Sequence, residues 1–277
     1  MLSRFKELMY GGIFRDPFYN HMDRGEWCKN FSPVWFKYPA TFLVIFFDIF
    51  FNFKTLRAIP FDPVFSTEPK GPRHWAEYLL GTVSVLLICL QIMYKIASHS
   101  LINILMPCHL SVMLIAAISF SPRKLYWVYN WMISMLFGCL VALIFPGTTA
   151  TLKGPYEVEV FYIEHLVPFV AAVVYHSLLF RDLRWWEVRI HQLGFSLFSL
   201  YERAVCFPLG ELTWINVNFA LCGQEDDPFF KPLGYTYYLF IDIYINFGCF
   251  LTKIVLLSPQ LGARKLRKLF AEIKKQV

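Results

Sequence analysis

Long apolar stretches separated by short polar ones set the pattern of this chain. Trp35 to Phe53, Tyr78 to Ile96, Leu101 to Phe120, Leu125 to Phe145, Val158 to Phe180 and Tyr237 to Leu257 are each long enough to cross about 30 Å of hydrocarbon as a helix rising about 1.5 Å per residue. A further run, His191 to Leu209, is interrupted by Glu202-Arg203 and ended by Pro208, so it reads either as a span or as a buried or re-entrant helix. The expected fold is therefore all-α, a polytopic transmembrane helical bundle of six to seven spans. Residues 1–34 form an amino-terminal segment, 35–257 a single bundle domain and 258–277 a basic carboxyl tail.

Polar positions recur inside these runs at helical spacing. Asp48, Asn52 and Thr55 share one face of the first; Ser84, Gln91 and Lys95 share one face of the second; Asp242, Asn246, Cys249 and Lys253 do so in the last. In hydrocarbon such stripes face the bundle interior or a wet cavity. Hydrogen bonding between helices explains any single stripe, whereas several together suit an internal polar cavity, whether of an enzyme or of a transporter.

Composition sharpens the class. The chain is 57% hydrophobic, 19% aromatic and only 17% charged, with a mean hydropathy of +0.46, far more apolar than a soluble domain. Met1 to Pro33 lacks the layout of a cleaved signal peptide. With seven spans, Lys and Arg concentrate on the side shared by the carboxyl end, which the positive-inside rule makes cytosolic, with the amino terminus lumenal or extracellular. The ending Lys274-Lys275-Gln276-Val277 looks like a dilysine retrieval address, or equally like the end of a short amphipathic helix on anionic lipid. The seven cysteines are scattered without CxxC spacing, which predicts neither a disulfide framework nor a zinc ribbon.

Pro107-Cys108-His109 lies in the third run and Glu164-His165 in the fifth. An attacking thiol in a low-dielectric site needs a partner to take its proton, and a neutral imidazole can do so. His165 is the expected base, because His109 points about 100° away from Cys108 on the same helix. Pro107 is expected to kink the helix open at the thiol. Ser111 follows on the Cys108 face, and His176 lies on the His165 face nearer the cavity mouth. The competing reading of Cys108 is inert packing, since free cysteine is among the most buried residue types. No ligand spacing marks a metal site and no Gly-rich loop marks a nucleotide, so no metal or cofactor is expected.

Leu8-Met9-Tyr10-Gly11-Gly12, Pro107-Cys108-His109, Glu164-His165, Pro208-Leu209, Thr213, Asn216-Val217-Asn218, Leu221-Cys222 and Asp227-Pro228-Phe229 together resemble the transmembrane protein 164 family over most of the chain. The resemblance implies a coenzyme A-independent acyltransferase of the endoplasmic reticulum or Golgi membrane. It would move a polyunsaturated acyl chain from a diacyl phospholipid to a lyso ether phospholipid through an acyl-thioester. By position, Cys108 becomes the nucleophile and His165 its base. Ser111, Asn216 and Asn218 are candidates for oxyanion or cavity roles, with capping and loop packing as the alternative for the two asparagines. The expected partners are phospholipid and lysophospholipid, with no nucleic acid. A lipid-ester hydrolase and a non-enzymatic transporter or receptor are the alternatives. The tail and the loop Pro60 to His74 depart from the family pattern.

Overall fold

The computed structural model describes residues 2–16, 24–58, 72–121, 128–144, 146, 154–175, 188–223, 230–237, 239–240, 242–256 and 258. The described residues are helical almost throughout and contain no β-strand, only an isolated bridge between Arg24 and Ile215. The main helices are α1 (Val34–Ala58), α2 (Trp75–Ala97), α3 (Pro107–Phe120), α4 (Val128–Ser134), α5 (Leu136–Ile144), α6 (Glu157–Val174), α7 (Val188–Tyr201), α8 (Phe207–Thr213) and α9 (242–256). Among the described residues two helices, Val34–Lys54 and Trp75–Ala97, are long and apolar enough to cross a membrane. That is fewer than the six to seven spans the runs predict. The third run breaks before its helix, the fourth breaks between α4 and α5 at Met135, and parts of the others lie outside the described residues.

Local chemistry sets several of these boundaries. His74 opens α2 with a capping box: its ring accepts from the Ala76 N–H at 3.2 Å, and Glu77 accepts from the His74 N–H at 2.9 Å. The helix stops where His99 takes φ 53°, the left-handed conformation that commonly closes helices. The expected kink at Pro107 is absent. Leu101–Leu105 form a 3-10 turn, Met106 is extended at ψ 143°, and Pro107 starts α3. A proline ring pushes the residue before it out of helical geometry and itself suits the first helical position, where no N–H is needed. Cys108 therefore stands in the first turn of a helix rather than midway along one.

Glu202-Arg203, which interrupts the apolar run His191 to Leu209, does not interrupt the helix. The helix continues from α7 through a π-turn, Glu202–Cys206, into α8. The wider turn absorbs the approach to Pro208, and both charged residues are buried with partners: Arg203 donates to Asp242 at 2.6 Å and Asn218 donates to Glu202.

α2 packs along α3, α6 crosses both, and α7 lies between α1 and α4. Gly81 permits the α2–α3 contact, since a Cβ there would lie 2.6 Å from Ser119 Cβ. A core of Val112, Ile115, Met132, Ile133, Leu136, Ala171 and Tyr175 fills the space between these helices. The amino-terminal segment docks on a second core with Ile102, Cys206, Phe207 and Val217. Its Gly12 donates to the His99 carbonyl at 2.9 Å and approaches so closely that a Cβ would sit 1.8 Å from the Ser98 oxygen.

Cys28 and Cys222 form a disulfide, a single pairing that the scattered cysteine spacing, read as arguing against a disulfide framework, did not announce. The bond joins residues 194 positions apart, so tertiary docking and not local spacing creates it. Asn216 braces the same turn, accepting from the Leu221 N–H at 3.0 Å and donating to the Cys222 carbonyl at 2.9 Å. In the chain-entropy account a loop of this length is worth up to about 5 kcal/mol. Cys28→Ser is therefore expected to lower the unfolding temperature of the detergent-solubilised protein. The reductant-induced decrease seen in the parent should vanish in this variant.

Candidate functional site

α3 brings Cys108 and His109 in at its first turn, where main-chain N–H groups have no partner within the helix. The His109 N–H faces the Cys108 sulfur. α6 supplies Glu164 from across the bundle, and its carboxylate accepts from His109 Nδ1. Cys108 Sγ, a ring nitrogen of His109 and an oxygen of Glu164 all lie within 4.8 Å of one another. Behind them, Gln91 on α2 donates to the second Glu164 oxygen at 2.6 Å. Glu164 is 1% exposed and His109 6%, while Cys108 is half-buried. Cys108 is thus the least enclosed residue of the group.

Adjacent helical residues diverge by about 100°, and the His109 ring is held by Glu164 with a nitrogen within 4.8 Å of Cys108 Sγ but with no hydrogen bond to it among the described residues. The carboxylate fixes the tautomer: Nδ1–H donates to Glu164, and Nε2 carries the lone pair. His165, from the neighbouring position of α6, is 3% exposed. Its Nδ1–H donates to the Phe161 carbonyl at 2.7 Å, and its ring lies 4.2 Å from that of Phe161. Among the described residues it makes no hydrogen bond to Cys108.

The remaining site residues predicted from the sequence divide by position. Ser111 is fully buried and donates to the Cys108 carbonyl at 2.7 Å, with Cys139 Sγ 3.9 Å away. That hydroxyl supports the helix turn behind the thiol. Asn216 is committed to the disulfide turn. Asn218 adopts φ 51° and is bound to Glu202. His176 and Asp227-Pro228-Phe229 lie outside the described residues, as do the dilysine end and the rest of the basic tail after Ser258. Gln91 and Glu164 were legible as polar residues in apolar runs, but nothing in the sequence paired them with His109.

The three polar stripes face inward and pair across helices. Besides Gln91–Glu164, Lys95 meets Glu157 at 3.4 Å, Ser196 donates to Asn52 at 3.1 Å, and Arg203 meets Asp242. Lys253, fully buried, donates to Ser134 and to His191 Nδ1, each at 3.0 Å, while His191 Nε2 donates to Asn246 at 2.6 Å. These pairings tie polar groups of different helices together inside the bundle, while Asn52 Nδ2, Ser84 Oγ and Gln91 Oε1 are buried without a hydrogen-bond partner among the described residues. The side chain of Thr55 lies outside the described residues.

The family model described as the TMEM164 family matches residues 30–254. No solved structure matches the chain.

Proposed function

The chain belongs to the TMEM164 family, and from that premise we propose that it is a membrane acyltransferase using Cys108 as its nucleophile. It moves a fatty acyl chain from a diacyl phospholipid to a lyso ether phospholipid without coenzyme A. The observation that carries the reading is the gathering of a half-buried thiol, an imidazole and a carboxylate within 4.8 Å. This is the order nucleophile, base and orienting group that acyl transfer uses.

In the forward half-reaction His109 Nε2 takes the Cys108 proton as sulfur attacks the donor ester carbonyl. Glu164 holds the ring and steadies the imidazolium, and Gln91 holds Glu164. The imidazolium then protonates the departing lysophospholipid oxygen. The acceptor hydroxyl repeats the sequence in reverse, with the acyl-thioester as the electrophile. The main-chain N–H groups of Cys108 and His109 at the start of α3 are offered to the developing oxyanion, the Leu110 N–H being taken by the Met106 carbonyl at 3.0 Å. They take over the role considered for Ser111, Asn216 and Asn218, whose polar groups are engaged elsewhere.

The outward faces suit a bilayer. Phe42, Phe46, Ile49, Phe50 and Phe53 on α1 are all exposed, a continuous apolar strip that water would penalise and lipid accepts. A bundle of seven spans accounts for the disulfide. Cys28 and Cys222 must share one side of the membrane, which requires an even number of crossings between them. The five runs from Trp35 to Phe180 are odd in number, and the continuous helix from Val188 to Thr213 supplies the sixth. The oxidising side then holds the amino-terminal segment, in keeping with a lumenal amino terminus in the endoplasmic reticulum or Golgi.

The test incubates purified protein in vesicles with a diacyl phospholipid labelled in its acyl chain and a lyso ether phospholipid, with no acyl-coenzyme A. Label is expected in the ether lipid. Release of label only as free fatty acid would make the protein a hydrolase, and retention of all label in the donor would remove the enzymatic reading.

A further inference from the structure

Cys108, His109 and Glu164 are more than a nucleophile and its helpers. A thiolate, an imidazole and a carboxylate form a donor set characteristic of zinc, mixing soft and borderline ligands in a way that calcium and magnesium disfavour. The donor atoms lie within 4.8 Å of one another. Rotamer adjustments of about an ångström bring them onto a tetrahedral ion with bonds of about 2.0–2.3 Å. An independent observation points to a ligand here. Gln91 Oε1, on a side chain 3% exposed, has no hydrogen-bond partner among the described residues. Its own Nε2 rests on Glu164 at 2.6 Å, so the same amide holds an unused oxygen beside the cluster.

We propose that Cys108, His109 and Glu164 bind one Zn2+ reversibly and that the bound metal switches acyl transfer off. Binding replaces the thiol S–H bond with a Zn–S bond, and that proton leaves to solvent. His109 contributes the lone pair of Nδ1, its proton moving to Nε2 as the hydrogen bond to Glu164 gives way, and Glu164 contributes the carboxylate oxygen so freed, leaving a fourth position for Gln91 Oε1 or a solvent molecule. No redox change occurs. Inhibition follows because the sulfur lone pair that would attack an ester is held by the metal, and His109 can no longer accept a proton. The binding site stands on geometry alone; its consequence for activity rests on the acyl-transfer reading.

The experiment titrates the purified full-length protein, stripped of metal, with Co2+ as a spectroscopic stand-in and with Zn2+ against a chromogenic chelator. The parent should take up one Zn2+ per chain and show a thiolate-to-cobalt charge-transfer band. Cys108→Ala should lose that band, and Glu164→Gln should bind Zn2+ about 10- to 100-fold more weakly. Cys108→Ser, which preserves shape and polarity, should also lose the band, so that a misfolded alanine variant does not decide the matter. Zn2+ should protect Cys108 from alkylation and block transfer, with a chelator reversing both. A parent without a charge-transfer band, or a band surviving in both Cys108 variants, would overturn the proposal. Should zinc bind while Cys108→Ala still transfers acyl chains, the switch-off claim falls with the acyl-transfer reading and only the metal site stands. Should Cys108→Ala abolish transfer while no metal binds, the metal site alone falls.

Discussion

Cys108→Ala is expected to abolish transfer, by at least about 10³-fold, while the protein still folds and inserts. Removing the attacking atom deletes the covalent route, and residual catalysis from positioning alone is far slower. Exchanging a half-buried thiol for a methyl changes little volume, so the structural cost should stay below about 1.5 kcal/mol. The free cysteines give internal controls. Cys139 is fully buried beside Ser111, and Cys89 is exposed on α2. Alanine at either should leave transfer nearly unchanged. Transfer rate and unfolding temperature, measured on the same preparations, separate the outcomes. Retained transfer in Cys108→Ala would remove the thioester mechanism, and equal losses at all three positions would mean that the cysteines matter through packing.

The sequence carried the site only in part, for physical reasons that differ from residue to residue. Cys108 and Glu164 were conspicuous because ionisable groups in apolar runs are costly, and the inward direction of the stripes followed from helical periodicity alone. The partnership of His109 with Glu164 was not legible. It joins residues 55 positions apart through a side-chain rotation that spacing along one helix does not encode. Pro107 was legible as a disruption, but a proline reads alike whether it kinks a helix or begins one. What decides is Met106, whose extended backbone ends the preceding turn. Glu202-Arg203 looked like a break in the seventh run because their partners, Asn218 and Asp242, come from elsewhere in the chain. The disulfide escaped notice for the same reason: its two cysteines belong to no local motif, and only the docking of the amino-terminal segment brings them together.

The histidines should separate by role in single-turnover experiments. His109 is held by a buried carboxylate beside the thiol, so His109→Ala should slow acyl-thioester formation by roughly 10² to 10⁴, the usual worth of a positioned general base. Glu164→Gln keeps an oxygen to accept from His109 Nδ1 and keeps the shape of the side chain. It loses the negative charge that steadies the imidazolium, so a smaller loss of roughly tenfold or more is expected. His165 spends Nδ1 on the Phe161 carbonyl and packs against that ring, so His165→Ala should act chiefly on stability. Its labelling per folded molecule should stay within a few-fold of the parent. The measurement is hydroxylamine-sensitive labelling of Cys108 by a radiolabelled phospholipid donor, normalised to protein that remains folded by thermal unfolding. The double variant His109→Ala with Cys108→Ala should be little worse than either single one, because nucleophile and base act as a unit. Undiminished labelling in His109→Ala together with its loss in His165→Ala would return the base to His165, the residue the family resemblance indicates, and leave the His109–Glu164 pair as a structural brace across the bundle.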